Sequence, residues 1–177
     1  MFARKKKTAP KLAFLLILWA LSVLSADSTT VWKWTDFNDA FPLAKKTGKH
    51  FIINFYSLGC GWCRKMDQTT FGDSTVARML NKDFVGARVN TGSNRKVIWK
   101  GKETTERELS LVFLVRGTPN TAFVDTGGNL VASLPGFITP DKFAIILKYI
   151  SGNWYRELSF PEFVASEEAL KKQGQSK

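Results

Sequence analysis

Between positions 50 and 56 the run HFIINFY gathers Phe, Ile and Tyr without the spacing of a helix, and so predicts a buried central strand. Upstream, TTVWKWTDFNDAFPLAKKTGKH predicts a strand, then a helix capped by Thr35 or Asp36 that runs to about Thr47 and ends at Gly48, with Pro42 disturbing it. Downstream, a helix is expected from the cysteine pair to about Gln68. In GDSTVARMLNKDF, a cap at Asp73 or Ser74 precedes Val76, Met79 and Leu80 on one helical face. FVGARVN alternates as a second strand. TGSNRKVIWKGKE is a polar insertion, and TTERELSLVFLV is a helix for which Thr105 and Glu108 complete a capping box. RGTPNTAFVDTGGNLVASLPGF reads as two strands joined at Gly127-Gly128. TPDKFAIILKYI is an amphipathic helix with Thr139 as cap and Pro140 in its first turn, followed by a short aromatic extension and a frayed charged tail. The order β-α-β-α-α-β-α-β-β-α defines an α/β chain that ends in a hairpin and a helix.

The first stretch is read as targeting rather than fold. Arg4, Lys5, Lys6, Lys7 and Lys11 precede an uncharged apolar core, LAFLLILWALSVL, from Leu12 to Leu24, and small residues follow at Ser25 and Ala26. This is the shape of a secretory leader, residues 1–26, with a core short for a membrane span. An uncleaved anchor is the alternative. Residues 27–160 then form one domain, and 161–177 a charged tail. Five of the 26 basic residues lie in the leader, which leaves 21 against 15 acidic ones, a balance of +6 rather than +11. Lys45, Lys46, Lys100, Lys102, Lys171 and Lys172 are scattered rather than interleaved with aromatics, so nucleic acid is not an expected partner.

The chemistry concentrates in YSLGCGWCRKMD, which holds both cysteines, Cys60 and Cys63. A structural zinc needs about four ligands, and one histidine, His50, is available beside them. A c-type haem needs His after the second cysteine, where Arg64 stands. A purely structural disulfide would close a loop too small to stabilise much. A redox dithiol fits best. Cys60 at a helix N-terminus is favoured as thiolate, and Cys63 lies on the same helical face within disulfide reach. Trp62 between them is expected to be exposed and to stack on a partner. His50 is expected at a surface or strand edge, outside catalysis. Trp32, Trp34, Trp99 and Trp154 are expected as packing anchors, Phe137 as core or groove rim, and the insertion around Arg95 to Lys102 as a partner-specific or merely solvated loop.

FIINFYSLGCGWCRKM together with RGTPNTAFVDTGGNLVASLPGF resembles the thioredoxin superfamily, from about Val31 to Ile150. The resemblance implies a thioredoxin fold: a central mixed sheet flanked by helices, with an N-terminal strand-helix extension and a C-terminal β-hairpin plus helix. It implies Cys60 and Cys63 as catalytic residues, and a cis Thr118–Pro119 bond whose backbone positions the substrate. Finer features, the insertion, the E-x-x-L helix and the PGF…P…F…YI ending, resemble periplasmic thioredoxin-like proteins of the SoxW type, found with bacterial sulfur oxidation. Two departures stand out. Asn54 occupies the place of the family's buried aspartate and cannot accept a proton as a carboxylate does. Asp67, one helical turn after Cys63, is the nearest carboxylate and the expected substitute acceptor. The dipeptide Gly61-Trp62 replaces Gly-Pro, which leaves the direction of electron flow open.

What these residues imply is an exported thiol:disulfide oxidoreductase of the Gram-negative periplasm, monomeric, without metal or other cofactor, and membrane-tethered if the leader stays. Its partners would be disulfide-bearing periplasmic proteins and a membrane thiol electron donor. The alternatives are a dithiol oxidase or isomerase, and a non-enzymatic module that binds Cu(I) or docks a partner through its thiols.

Overall fold

The computed structural model describes residues 31–175; the leader read from residues 1–26 lies outside them. Among the described residues no helix is long and apolar enough to cross a membrane. The elements are α1 (Phe37–Thr47), β1 (His50–Tyr56), α2 (Gly61–Thr69), α3 (Ser74–Asp83), β2 (Phe84–Asn90), β3 (Lys96–Trp99), β4 (Lys102–Thr105), α4 (Glu106–Val112), β5 (Asn120–Val124), β6 (Leu130–Pro135), α5 (Pro140–Ser151), a 3-10 turn (Trp154–Arg156) and α6 (Phe160–Gln175).

Four strands form a mixed sheet in the order β2-β1-β5-β6; β1 runs parallel to β2 and antiparallel to β5, and β5 antiparallel to β6. The central place of β1 explains its unbroken apolar run, since both of its faces are covered. On one face Phe51, Ile53 and Phe55 meet Phe37 and Phe41 of α1 and Leu109 and Phe113. On the other, Ile52 joins Met66 of α2, Leu80 of α3, and Phe143 and Leu147 of α5.

Where the expected N-terminal strand falls on described residues, a lead-in, 31–36, makes one backbone bond to β2, Thr35 N–H to the Gly86 carbonyl at 2.8 Å. Trp32 and Trp34 lie over Gly86, where a Cβ would come within 2.6 Å and 2.9 Å of their rings. A glycine inside a strand marks such a close approach.

Four expectations need correction. Pro42 does not interrupt α1: the helix is capped by the Asp36 carboxylate, ends at Gly48 in the left-handed region (φ 68°), and keeps Pro42 on its exposed side while Phe37, Ala40, Phe41 and Ala44 are buried. The polar insertion is not a loop but the β3–β4 hairpin, which buries Val97 and packs Trp99 on Phe41 and Phe113 at ring-centroid distances of 4.8 Å and 5.4 Å. Arg95 fixes its base, donating to Asp36 at 2.7 Å and to the buried Glu106 at 2.9 Å. The frayed tail is instead helical to Gln175: Ser159 donates through both its N–H and hydroxyl to Glu162, and buried Phe163 packs on Tyr149 at 5.2 Å.

His50, lastly, is buried rather than at the surface. The 3-10 turn covers it, with Nε2 3.3 Å from the Tyr155 hydroxyl, which donates to Asn153. Burial holds the imidazole below its ordinary value of 6.5; the charge of Asp125 opposes this, that of Arg156 reinforces it, and Asn153 and Asp83 oppose it. With the folded pKa depressed, the unfolded chain binds more protons in the window below about 6.5. Stability is therefore expected to fall as pH drops through that window and to level off, as far as this residue is concerned, once pH lies below the folded pKa. Denaturant midpoints between pH 8 and pH 5 check this. An equal pH slope in His50→Asn would remove His50 as the cause.

Candidate active site

The site forms where β1 ends. Tyr56 closes the strand, Gly59 turns the chain with φ 81°, and Cys60 caps α2. Cys60 and Cys63 are joined in a disulfide with their Cα atoms 5.3 Å apart, and the Cys63 N–H donates to Cys60 Sγ at 3.1 Å. The two sulfurs are not equivalent. Cys60 is half-buried, whereas the Cys63 residue is 4% exposed. The Cys60 sulfur is therefore the more accessible of the two, and Cys63 lies behind it. The N–H groups at this helix end, that of Cys63 among them, favour negative charge on Cys60 sulfur once the disulfide opens.

The segment before β5 faces this turn. The Thr118–Pro119 peptide is cis, the Thr118 hydroxyl lies 2.8 Å from that of Ser57, and Gly136 N–H donates to the Pro119 carbonyl at 2.8 Å. Thr118 is half-buried and Pro119 buried. Ser57, not singled out from the sequence, thus ties the strand end to the proline segment. Trp62 is 57% exposed and its ring packs on Phe137, with centroids 5.5 Å apart. The Lys65 ammonium lies 4.9 Å from the Trp62 ring centroid and 5.3 Å from that of Phe137.

Beneath α2 the sheet carries a polar patch. Asn54 is buried and its side-chain amide reaches the Thr121 hydroxyl at 3.4 Å. Its neighbour across the ladder is Arg88 of β2, which pairs with Asp67 at 3.1 Å and lies over the Tyr56 ring at 4.3 Å. Asp67 is therefore held against the sheet by a cation. Arg88 escaped the sequence reading, although the alternation of FVGARVN, with Phe84, Gly86 and Arg88 on one face, would have marked it as an inward-facing charge. Among the described residues no three His, Cys, Asp or Glu side chains come together as a metal site would need.

A strand–turn–helix dithiol facing a cis-proline segment, on a four-stranded mixed sheet between helical layers, defines a protein of the thioredoxin-like class. The thioredoxin-like domain family matches residues 37–151, and the chain belongs to that family. Similar solved structures include a thioredoxin-fold protein from Helicobacter pylori, at TM-score 0.56 and 20% identity over 73% of this chain and 86% of that one. Another is a thioredoxin from Thermus thermophilus, at TM-score 0.55 and 27% identity over 67% and 86%. The human spermatogenesis-associated protein 20 is 31% identical over 52 residues, 29% of this chain, and the match spans 7% of that protein's length.

Proposed function

We propose that the chain is an exported thiol:disulfide oxidoreductase that reduces disulfides of periplasmic partner proteins, acts as a monomer, and resembles the SoxW type. The observation that carries this is the asymmetry of the pair: a reachable sulfur at the helix N-terminus backed by a buried one three residues on. Cys60 thiolate attacks one sulfur of a substrate disulfide, forms a mixed disulfide, and expels the other substrate sulfur as thiolate. Cys63 then attacks Cys60 Sγ, regenerates the Cys60–Cys63 disulfide, and expels the second substrate thiolate. Two electrons pass to the substrate, and its two thiolates take up two protons. Asp67 takes the proton that leaves Cys63. Trp62, Thr118 and Pro119 position the substrate chain. A membrane dithiol donor returns the two electrons, since the periplasm has no reducing buffer of its own. Export rests on the leader.

The redox potential tests the direction of flow. The purified chain is equilibrated against graded thiol–disulfide buffers and the state of Cys60 and Cys63 is read by alkylation. The expected potential is near or below about −270 mV, the range of a reductase. A value near about −120 mV would make the protein an oxidant. If no intramolecular disulfide formed at any poise, the redox reading itself would fall.

A further inference from the structure

We propose that the apolar groove between β6, α5 and α6 docks the polypeptide segment flanking the reacting cysteine of a protein substrate, an aliphatic or aromatic stretch that carries an acidic residue. This rests on the dithiol reading above and adds to it what the substrate looks like. The groove has a volume of about 590 Å³; Ile138, Ile145 and Ile146 line it, Phe160 and Val164 of α6 close its far side, and Phe137 stands at its near end. Phe137 is also the ring that packs on Trp62, so the groove adjoins the residue that stands between the two cysteines. Its lining carries one charged side chain, a lysine. Lys142 lies in the lining and Lys65 sits over the Trp62–Phe137 pair at the mouth, so an occupant that is apolar with an acidic residue is complementary in both respects. A second copy docked groove to groove is a poorer occupant, because the lining holds no carboxylate to meet Lys142.

The test uses ten-residue peptides, each with one cysteine held as a mixed disulfide with glutathione. One peptide places Leu, Phe and Asp before the cysteine, one places them after it, and a third has only Gly and Ser. Glutathione disulfide serves as the reference. One apolar peptide is expected to be reduced about tenfold faster than the Gly-Ser peptide, the discrimination that a well-filled apolar contact provides. That advantage should disappear in Ile145→Glu and weaken in Lys142→Glu, an exposed-site change that does not threaten folding, while Leu170→Glu, also on α6 but outside the groove, keeps it. Equal rates for all three peptides, or an advantage that survives Ile145→Glu and Lys142→Glu, would overturn the proposal. A dimer that sedimentation detects and Ile145→Glu dissociates would overturn it in favour of a second copy. An advantage that appears only after removal of residues 1–26 would overturn it in favour of the chain's own Leu12–Leu24. Failure of the redox reading is seen separately: glutathione disulfide is then not reduced at all, and docking is still read from quenching of Trp62 fluorescence by a cysteine-free peptide.

Discussion

Replacing Cys63 by Ser is expected to convert turnover into a trap: the protein accumulates as a mixed disulfide with its substrate through Cys60, visible as a reducible band shift on a non-reducing gel. The reason is positional. Cys60 is the half-buried cap of α2 and remains free to attack, whereas the atom that would release the substrate, Cys63 Sγ, has been replaced by a hydroxyl that cannot displace a thiolate. Cys60→Ser removes the attacking atom instead. It should lower disulfide reduction by on the order of 10³-fold or more, the scale on which loss of a nucleophile acts, and no trapped species should form. The two variants thus give opposite gels from one dithiol. A trap formed by Cys60→Ser and not by Cys63→Ser would reverse the roles, and function left intact in Cys63→Ser would reduce the pair to a docking surface. Asp67→Asn refines the same experiment. Asp67 is held by Arg88 beside the sheet face that carries Asn54, so its loss should slow release of the mixed disulfide by about 10²-fold, the lower range for a positioned base. Release as fast as in the unmodified chain would leave Asp67 as an ion-pair partner of Arg88 and nothing more.

How far the sequence speaks for this site depends on whether the signal is local. The HFIINFY strand, the Thr105–Glu108 capping box and the turn at Gly127-Gly128 were all legible, because each is fixed by residues within a few positions of one another. The Cys60–Cys63 pair is local in the same way. His50 is not. Its burial depends on Tyr155, more than a hundred residues later, and no pattern around position 50 encodes that contact. α6 was misread because its apolar anchors are few among many charges. Its place is set by Phe163 against Tyr149 and by the Lys148–Glu167 ion pair, all long-range. Arg88 is the intermediate case. The alternation of β2 turns it inward, but its partner Asp67 sits on another element, and pairing across elements is invisible to a one-dimensional pattern.

The β3–β4 hairpin shows the same limit with the largest consequence for stability. Trp99→Ala is expected to cost about 2–3 kcal/mol, somewhat below the range for a fully buried Trp because the side chain is half-buried. Four-residue strands that expose Lys96 and Ile98 look like a solvated insertion, yet the alternation that exposes them turns Val97 and Trp99 inward. The Trp99 ring lies within 4.8 Å of that of Phe41, 5.4 Å of Phe113, 6.2 Å of Phe37 and 6.4 Å of Phe51, counted between centroids. It thereby joins α1, β1 and the end of α4, the helix that leads into the Thr118–Pro119 segment, in one aromatic cluster. Truncation removes the contacts on all sides at once, and the rings of two helices and a central strand cannot all close in to fill the space. Urea unfolding measures the cost. A change within about 0.5 kcal/mol, the usual effect of a surface substitution, would mean that the hairpin does no more than ride on the domain. With the expected loss, Trp99→Phe should recover part of it, because an aromatic ring would again face Phe41 and Phe113. The insertion would then be part of the core that holds the α4 end of the proline segment in place.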